Sequence, residues 1–313
     1  MRKCSARCCA ATRLLFCTLT AGLLLAASSA HAATIYALTD ENDLLVFDSA
    51  NPEDLLYAGA ILFLQNDEDL IGIDIRPSNG QLYGVGNKGG VYALSNTAFL
   101  PASPITASKV SQLSEDLSGS RFGVDFNPVA DRLRIVSDTE QNLRVNVDTG
   151  ATVVDSLLQY GPGQPGATGD NPSVVGSAYT NSLLGAGGTS LYGIDVRSSE
   201  DRLVIQNPPN SGTLTVVGPL GVNASALQGF DILSTGNPVT NTGFAAMQIT
   251  TGGVSQLYSI NLATGAASLL GDIGGGDLID GLAVVSDVVP EPSTIAMAAF
   301  ALVGGVLARR RGR

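Results

Sequence analysis

The chain has 313 residues, of which 28 are acidic and 17 basic, giving a formal charge of −11; it has 37 Gly, no Trp, four Cys and one His. All four Cys (Cys4, Cys8, Cys9, Cys17) and the only His (His31) lie in the first 32 residues. Without that segment the protein has neither thiol nor imidazole, which excludes disulfide staples, Cys/His zinc sites, Cys nucleophiles and every His-dependent triad.

Chain order begins with a basic stretch, Arg2, Lys3, Arg7 and Arg13, followed by an apolar run from Leu14 to Ala27 and by Ala30-His31-Ala32. A charged start, a short apolar segment and small residues at Ala30 and Ala32 form a secretory signal peptide over residues 1–32, with cleavage after Ala32. The apolar run is shorter than the roughly 20 residues a membrane span needs.

The body, residues 33–288, is a repeat. A Gly-apolar-Asp-apolar phrase recurs as Gly72-Ile73-Asp74-Ile75, Gly123-Val124-Asp125-Phe126 and Gly229-Phe230-Asp231-Ile232. Weaker copies stand at Gly176-Ser177-Ala178-Tyr179 and Gly281-Leu282-Ala283-Val284, so the steps are 51, 53, 53 and 52 residues. Within each step the apolar residues alternate with the short period of strands. The second unit reads as strands at 72–75, 81–85, 90–94 and 109–113; the last full unit reads as strands at 229–233, 243–249, 256–262 and 266–271. Turn residues such as Ser78-Asn79-Gly80, Asp148-Thr149-Gly150 and Ala263-Thr264-Gly265 separate them. Four short strands per roughly 50 residues is the unit of a β-propeller blade.

The first unit has room for only three strands, 35–38, 44–47 and 55–62, before Gly72. Its missing strand is the leftover Gly281–Val285, and pairing the last strand with the first blade closes the ring and hides two sheet edges. The expected fold is therefore all-β, one five-bladed propeller: residues 35–71 with 281–287, then 72–122, 123–175, 176–228 and 229–280. The two domains that length alone suggests become one. Six blades are the main alternative, because the stretches 95–108 and 156–173 have room for further strands; an open β-solenoid fits the repeat length less well.

The third unit holds four of the nine body Arg and Lys residues, Arg121, Arg132, Arg134 and Arg144, among Asn127, Asp138, Asn142 and Asn146. Alternation puts Arg132 and Arg134 on one face of a strand, and Arg144 and Asn146 on one face of the next. Pairing Leu133 and Ile135 with Val145 and Leu143 brings the Arg residues to a common face, which is unfavourable unless an anion lies between them. Either Asp125, Asp131, Asp148 or Glu140 neutralises them in an ion-pair network, or Asn127, Arg132, Arg134, Asp138, Asn142, Arg144 and, from the next unit, Asn181 bind an anionic group such as a uronate or sulfate.

The acidic stretches Asp40-Glu41-Asn42-Asp43 and Asn66-Asp67-Glu68-Asp69 have oxygen ligands suited to Ca²⁺, but neither has a fixed ligand spacing, and both also read as solvated hairpin tips. The Asn-Pro phrases Asn171-Pro172 and Asn207-Pro208 read as turns. No Gly-rich stretch of the body precedes a helix, so no phosphate loop is expected.

The chain ends with Val289-Pro290-Glu291-Pro292-Ser293-Thr294, an apolar stretch from Ile295 to Ala308, and Arg309-Arg310-Arg311-Gly312-Arg313. Prolines set a helix start, and the Arg cluster holds the end of a short membrane helix on the cytoplasmic side. Residues 289–313, with Pro290, Glu291 and Pro292 as the motif, resemble the PEP-CTERM sorting tail of Gram-negative bacteria. The resemblance implies processing by a membrane-embedded exosortase and a place at the cell surface or outside it. Removing the eight basic residues and one acid of the two ends from the totals leaves 9 basic and 27 acidic residues in the body, a net −18. Nucleic acid and anionic membrane surfaces are poor partners for such a field.

Several phrases resemble a bacterial family known as domain of unknown function 4394: Gly72–Pro77 with Gln81-Leu82-Tyr83, Gly123–Pro128 with Asp131–Asp138, Gln141–Arg144, Ala178–Asn181, Asn207–Gly212 and Gly229–Ile232. The resemblance covers residues 34–286 and implies a secreted propeller-type protein; it supplies no reaction and no catalytic residue. The sequence thus points to an exported propeller without catalytic activity, with signal peptidase and exosortase as processing partners and extracellular polysaccharide as a candidate ligand. A Ca²⁺-dependent propeller hydrolase or lactonase, working through carboxylates that converge on the central channel, is the alternative.

Overall fold

The computed structural model describes residues 32–65, 68–95, 104–164, 171–196, 200–224 and 226–286. The signal peptide and the sorting tail, with its expected helix, lie outside the described residues. Among the described residues no helix is long and apolar enough to cross a membrane.

The strands form successive antiparallel meanders. The first comprises β1 (Thr34–Thr39), β2 (Asp43–Asp48) and β3 (Asn51–Leu62). The second comprises β4 (Leu70–Arg76), β5 (Gln81–Gly86), β6 (Gly90–Leu94) and β7 (Ile105–Gln112). The third comprises β8 (Phe122–Asn127), β9 (Arg132–Ser137), β10 (Asn142–Val145) and β11 (Thr152–Val154). A short β12 (Gln159–Tyr160) precedes the fourth: β13 (Val174–Tyr179), β14 (Leu191–Asp195), β15 (Arg202–Gln206) and β16 (Thr213–Pro219). The fifth comprises β17 (Ala226–Thr235), β18 (Thr240–Gln248), β19 (Gln256–Ile260) and β20 (Ala267–Asp272), and β21 (Ile279–Val284) follows.

Sheet order assigns β21 to the first meander, as β21-β1-β2-β3, with Ile35 opposite Val284 and Ala37 opposite Leu282. The last strand thus pairs with the first, as the shortage of one strand at the N-terminus requires. Of the stretches with room for more strands, residues 96–103 and 165–170 lie outside the described residues; the described parts make edge pairings. Residues 105–108 extend β7, whose start pairs in parallel with the end of β3, and β12 pairs in parallel with β16. Both cover the outer edge of an existing sheet.

The innermost strands β21, β4, β8, β13 and β17 meet around one axis, and their repeat glycines explain how. A Cβ on Gly123 would stand 2.6 Å from Ser177 N, one on Gly229 2.5 Å from Leu282 N, and one on Gly281 3.2 Å from Gly72 Cα. Side chains there would collide with the neighbouring backbone. A register shift precedes the glycine in three of these strands, between Leu70 and Gly72, Val174 and Gly176, and Leu227 and Gly229. A bulge bends a strand, and its recurrence at one position turns each inner strand toward the axis. Between the meanders lie apolar layers, such as Tyr83, Val85, Phe126, Leu133 and Ile135 between the second and third.

Gly123→Ala and Gly229→Ala should each destabilise the protein by about 1–3 kcal/mol or more, as overpacking against backbone does. Gly187→Ala, where a Cβ meets nothing within 4 Å, should stay within about 0.5 kcal/mol of wild type. Urea titrations followed by circular dichroism measure the difference.

Candidate functional site

The repeat phrase places its acid two residues after its glycine, so three carboxylates, Asp74, Asp125 and Asp231, reach the axis one strand step beyond the glycine layer. All three are buried, at 4%, 2% and 4% exposure, and their oxygens lie within 4.8 Å of one another. Each staples its own strand to the next. Asp74 accepts from Phe126 N at 2.7 Å, Asp125 from Tyr179 N at 3.1 Å and Asp231 from Val284 N at 2.5 Å. Asp74 and Asp231 also accept from the N–H groups of Ile75 and Ile232.

Burial pushes all three carboxyls up, because it disfavours the charged form. Asp74 is raised further by the charge of Asp231, and Asp125 by both other acids. The value for Asp231 is about 6, moderated by its backbone donors and by a hydrogen bond with Asp125. Three like charges this close cannot all persist in a dry core, so the group holds protons at neutral pH or is compensated by a cation.

The glycine layer lines a shallow, half-open axial recess with room for about 10 Å³ of water. Its lining is mostly backbone and apolar side chains, with Ser177 and Asp280 as polar members. The Asp280 carboxyl is solvent-accessible but crowded by protein; burial and then the charge of Asp40 push it to about 6, against the pull of Arg121.

The third meander brings together part of the predicted anion-binding set. Arg134 and Arg144 stand directly opposite each other on β9 and β10, as the apolar register requires. The group between them is Asp155, 6% exposed in its side chain, which none of the acids weighed in the sequence anticipated. Asp155 accepts from Arg134 Nη1 at 2.7 Å and from Arg144 Nε and Nη2 at 3.0 and 2.9 Å. Burial works to raise this carboxyl, but the hydrogen bonds from Arg144 and Arg134 outweigh it and hold it below the usual carboxylate range. Arg134, 1% exposed, also donates to Asn142 Oδ1 and to Asn210 Oδ1. Asn142 donates to the carbonyls of Ser156 and Pro209.

The remaining members stand apart. Asn127 accepts from the N–H groups of Val129 and Ala130 in a turn, and Arg132 donates to the Asp131 carbonyl. Asp138 accepts from Ser120 N and Oγ; burial opposes these contacts, yet they hold it low. Asn181, at a positive φ of 56°, pairs its amide with that of Asn241. Of the acids expected to neutralise the Arg set, Asp131 and Asp148 instead clamp Arg76 of the second meander, at 2.7 Å each. The two acidic stretches do meet: Asn42 donates to Asp69 at 2.9 Å and accepts from Leu70 N. Glu68 turns inward, 3% exposed, and accepts from Gly90 N and the Tyr92 hydroxyl, which burial and that contact push up to about 12. Asn66 and Asp67 lie outside the described residues.

Glycine-packed inner strands, repeated four-stranded meanders and a last strand paired with the first define an all-β, propeller-like protein with a carboxylate-stapled axis. Residues 43–283 match the family described as Domain of unknown function (DUF4394), and the chain belongs to that family. Residues 288–311 match the PEP-CTERM protein-sorting motif, which implies export, processing by exosortase and a cell-surface or extracellular location. A search of curated proteins gives no match.

Solved structures give loose similarities. A structure of the nidogen/laminin complex has a TM-score of 0.45 at 10% identity, covering 81% of this chain and 98% of that one. An engineered GH43 glycoside hydrolase has a TM-score of 0.43 at 13% identity, covering 78% of this chain and 54% of that one. The Dos1 propeller has a TM-score of 0.38 at 10% identity, covering 72% and 53%.

Asp155→Asn should cost about 3–5 kcal/mol, because it leaves Arg134 as a buried charge without its carboxylate. Asp148→Asn, at a position 58% exposed, should cost no more than about 1 kcal/mol. Denaturant midpoints compare the two.

The axial acids set the pH dependence. Their native pKa values lie above the unfolded ones, so the native state binds extra protons, and stability falls as pH rises through the native values. Asp131, Asp148 and Asp155 act oppositely: their contribution is present above the unfolded carboxylate pKa and is lost as pH falls through their lowered native values. Stability should therefore decline from about pH 4.5 to about pH 6, between the unfolded carboxylate range and the value for Asp231, by up to roughly 1.4 kcal/mol per pH unit for each proton that only the native state holds. Asp231→Asn should flatten that decline, as read from urea midpoints across the range.

Proposed function

We propose that this chain is an exported, exosortase-processed surface protein, a five-bladed propeller closed by β21, with a non-catalytic binding or structural role in extracellular polysaccharide. The observation that carries this reading is the use of the axial acids. In an enzyme of this architecture, carboxylates would face a substrate; here each accepts a backbone N–H of the next inner strand. The best candidate anion site is similarly committed, with Arg134 and Arg144 shared on Asp155. The blade count is supported by five inner strands and by sheets that each resolve into four-stranded meanders. A Ca²⁺-dependent hydrolase or lactonase is the second reading, favoured only by the convergence of Asp74, Asp125 and Asp231.

Two measurements test the reading. Deleting Pro290-Glu291-Pro292 should leave the protein in the membrane fraction and lower its release to the surface or medium, whereas unchanged release would remove the exosortase link. The released protein should sediment with polysaccharide purified from the same cells, with millimolar Ca²⁺ and with chelator. Absence of binding in both conditions, with normal biofilm in a deletion strain, would sink the polysaccharide role. Tight Ca²⁺ binding by calorimetry, lost in Asp125→Asn, would favour the enzyme.

A further inference from the structure

The two ends of the ring differ in chemistry, and the chain leaves from one of them. The inner strands run in one direction: their glycines meet in one layer and their acids in the next. Their C-terminal ends, at Arg76, Asn127, Tyr179, Thr235 and Val284, therefore share one end of the axis. Both termini of the described body lie there. Ala33 donates to Ser49 Oγ at 2.9 Å, Val285 donates to Thr34 O at 3.0 Å, and Ser286 Oγ accepts from Ser234 N at 3.0 Å. The sorting motif begins at residue 288, two residues past Ser286. Eight residues, at most about 29 Å of extended chain, lie between Ser286 and the apolar stretch that starts at Ile295.

This exit end carries few acids in its turns. Among the described residues these are Asp131 and Asp148, both held by Arg76, while Asp48, Glu53 and Asp54 flank the turn between β2 and β3. The innermost turns instead present apolar tips: Val129 between β8 and β9, Leu184 between β13 and β14, and Val239 between β17 and β18, exposed by 51%, 76% and 41%. The opposite end carries Asp40, Glu41, Asp69, Glu115, Asp116 and Asp277, all exposed, in its turns. A surface rich in anionic lipid repels the more acidic end more strongly than the less acidic end with its protruding apolar side chains.

We infer that the exit end is a membrane-contacting face: while the tail is in the bilayer, Val129, Leu184 and Val239 rest in the interfacial layer and the acidic end points away. The inference rests on the membrane-tethered intermediate of the proposed function. The chain from Ser286 to the apolar stretch is short enough to keep the exit end the nearer of the two to the lipid, and the occupant is the lipid surface itself.

The test uses the exported protein purified from membranes of an exosortase-deficient strain; residues 33–313 have no cysteine, so one added thiol is unique. Leu184→Cys and, separately, Glu41→Cys carry an environment-sensitive fluorophore in vesicles of phosphatidylethanolamine and phosphatidylglycerol containing spin-labelled lipid. Both positions are exposed, so the fold tolerates the label. The expected result is flotation with the vesicles and several-fold stronger quenching at position 184 than at position 41. Flotation with equal or absent quenching at the two positions overturns the contact face and leaves the tether standing, and the face is then free for a protein partner. Failure to float overturns both the tether and the face.

Discussion

Everything in this fold depends on how closely the inner strands approach one another at the axis. Backbone atoms of adjacent strands come so near that a single Cβ at Gly123 or Gly229 would overlap the neighbouring main chain. Glycine at one position per repeat is therefore a steric requirement. Its regular spacing along the chain is the imprint of that requirement, and the bulge before three of these glycines is how the strands meet it. Once the strands are this close, their polar backbone groups need partners across the gap, because a buried N–H without an acceptor costs about as much as a lost hydrogen bond. The carboxylates two residues on supply them.

Those carboxylates show how far the repeat can be carried. Aspartate occupies three of the five equivalent positions, and Ala178 and Ala283 the other two. Five acids on one axis would bring five charges into a few ångströms of dry protein. Three already force their pKa values up, and a hydrogen bond between Asp125 and Asp231 helps the group tolerate its crowding. In the fourth repeat, where alanine replaces the acid, the following residue is Tyr179. Its hydroxyl accepts from Arg134 Nε at 3.4 Å, so the position joins the Asp155 network. The departures from the repeat are thus places where polar groups are redistributed between neighbouring meanders.

Much of this was legible in the sequence because it rests on period. The glycine step, the alternation within each unit and the shortage of one strand at the N-terminus led to the meanders and to the pairing of Ile35 with Val284. The register of Arg134 against Arg144 followed from matching apolar residues alone. What pattern could not supply was the identity of long-range partners. Asp155 lies just beyond β11, in a stretch without periodicity, and reaches the Arg pair because β11 runs back along β10 and sets Asp155 opposite Asn142. Asp131 and Asp148 sit close to that pair in sequence, yet their carboxylates cross to Arg76 of the preceding meander. The axial acids were visible as a repeated letter, but their convergence within 4.8 Å depends on the ring, which no single unit encodes.

The separation of charge between the two ends follows from the same connectivity. At the end where the chain leaves, the turns that join inner strands to their neighbours carry Asp131 as their one acid among the described residues and, their apolar tips aside, are rich in Asn, Ser, Thr, Gly and Pro. These residues satisfy turn backbone without ionising, as Asn181 with Asn241 and Ser234 with Ser182 do. Among the described residues, the turns of the opposite end hold more exposed acids than those of the exit end. A net −18 spread evenly would oppose any close approach of this body to an anionic surface. The uneven spread leaves the exit end better able to approach and orients the molecule as it does so. The repeat that closes the ring thus also fixes which end of the ring the tail holds.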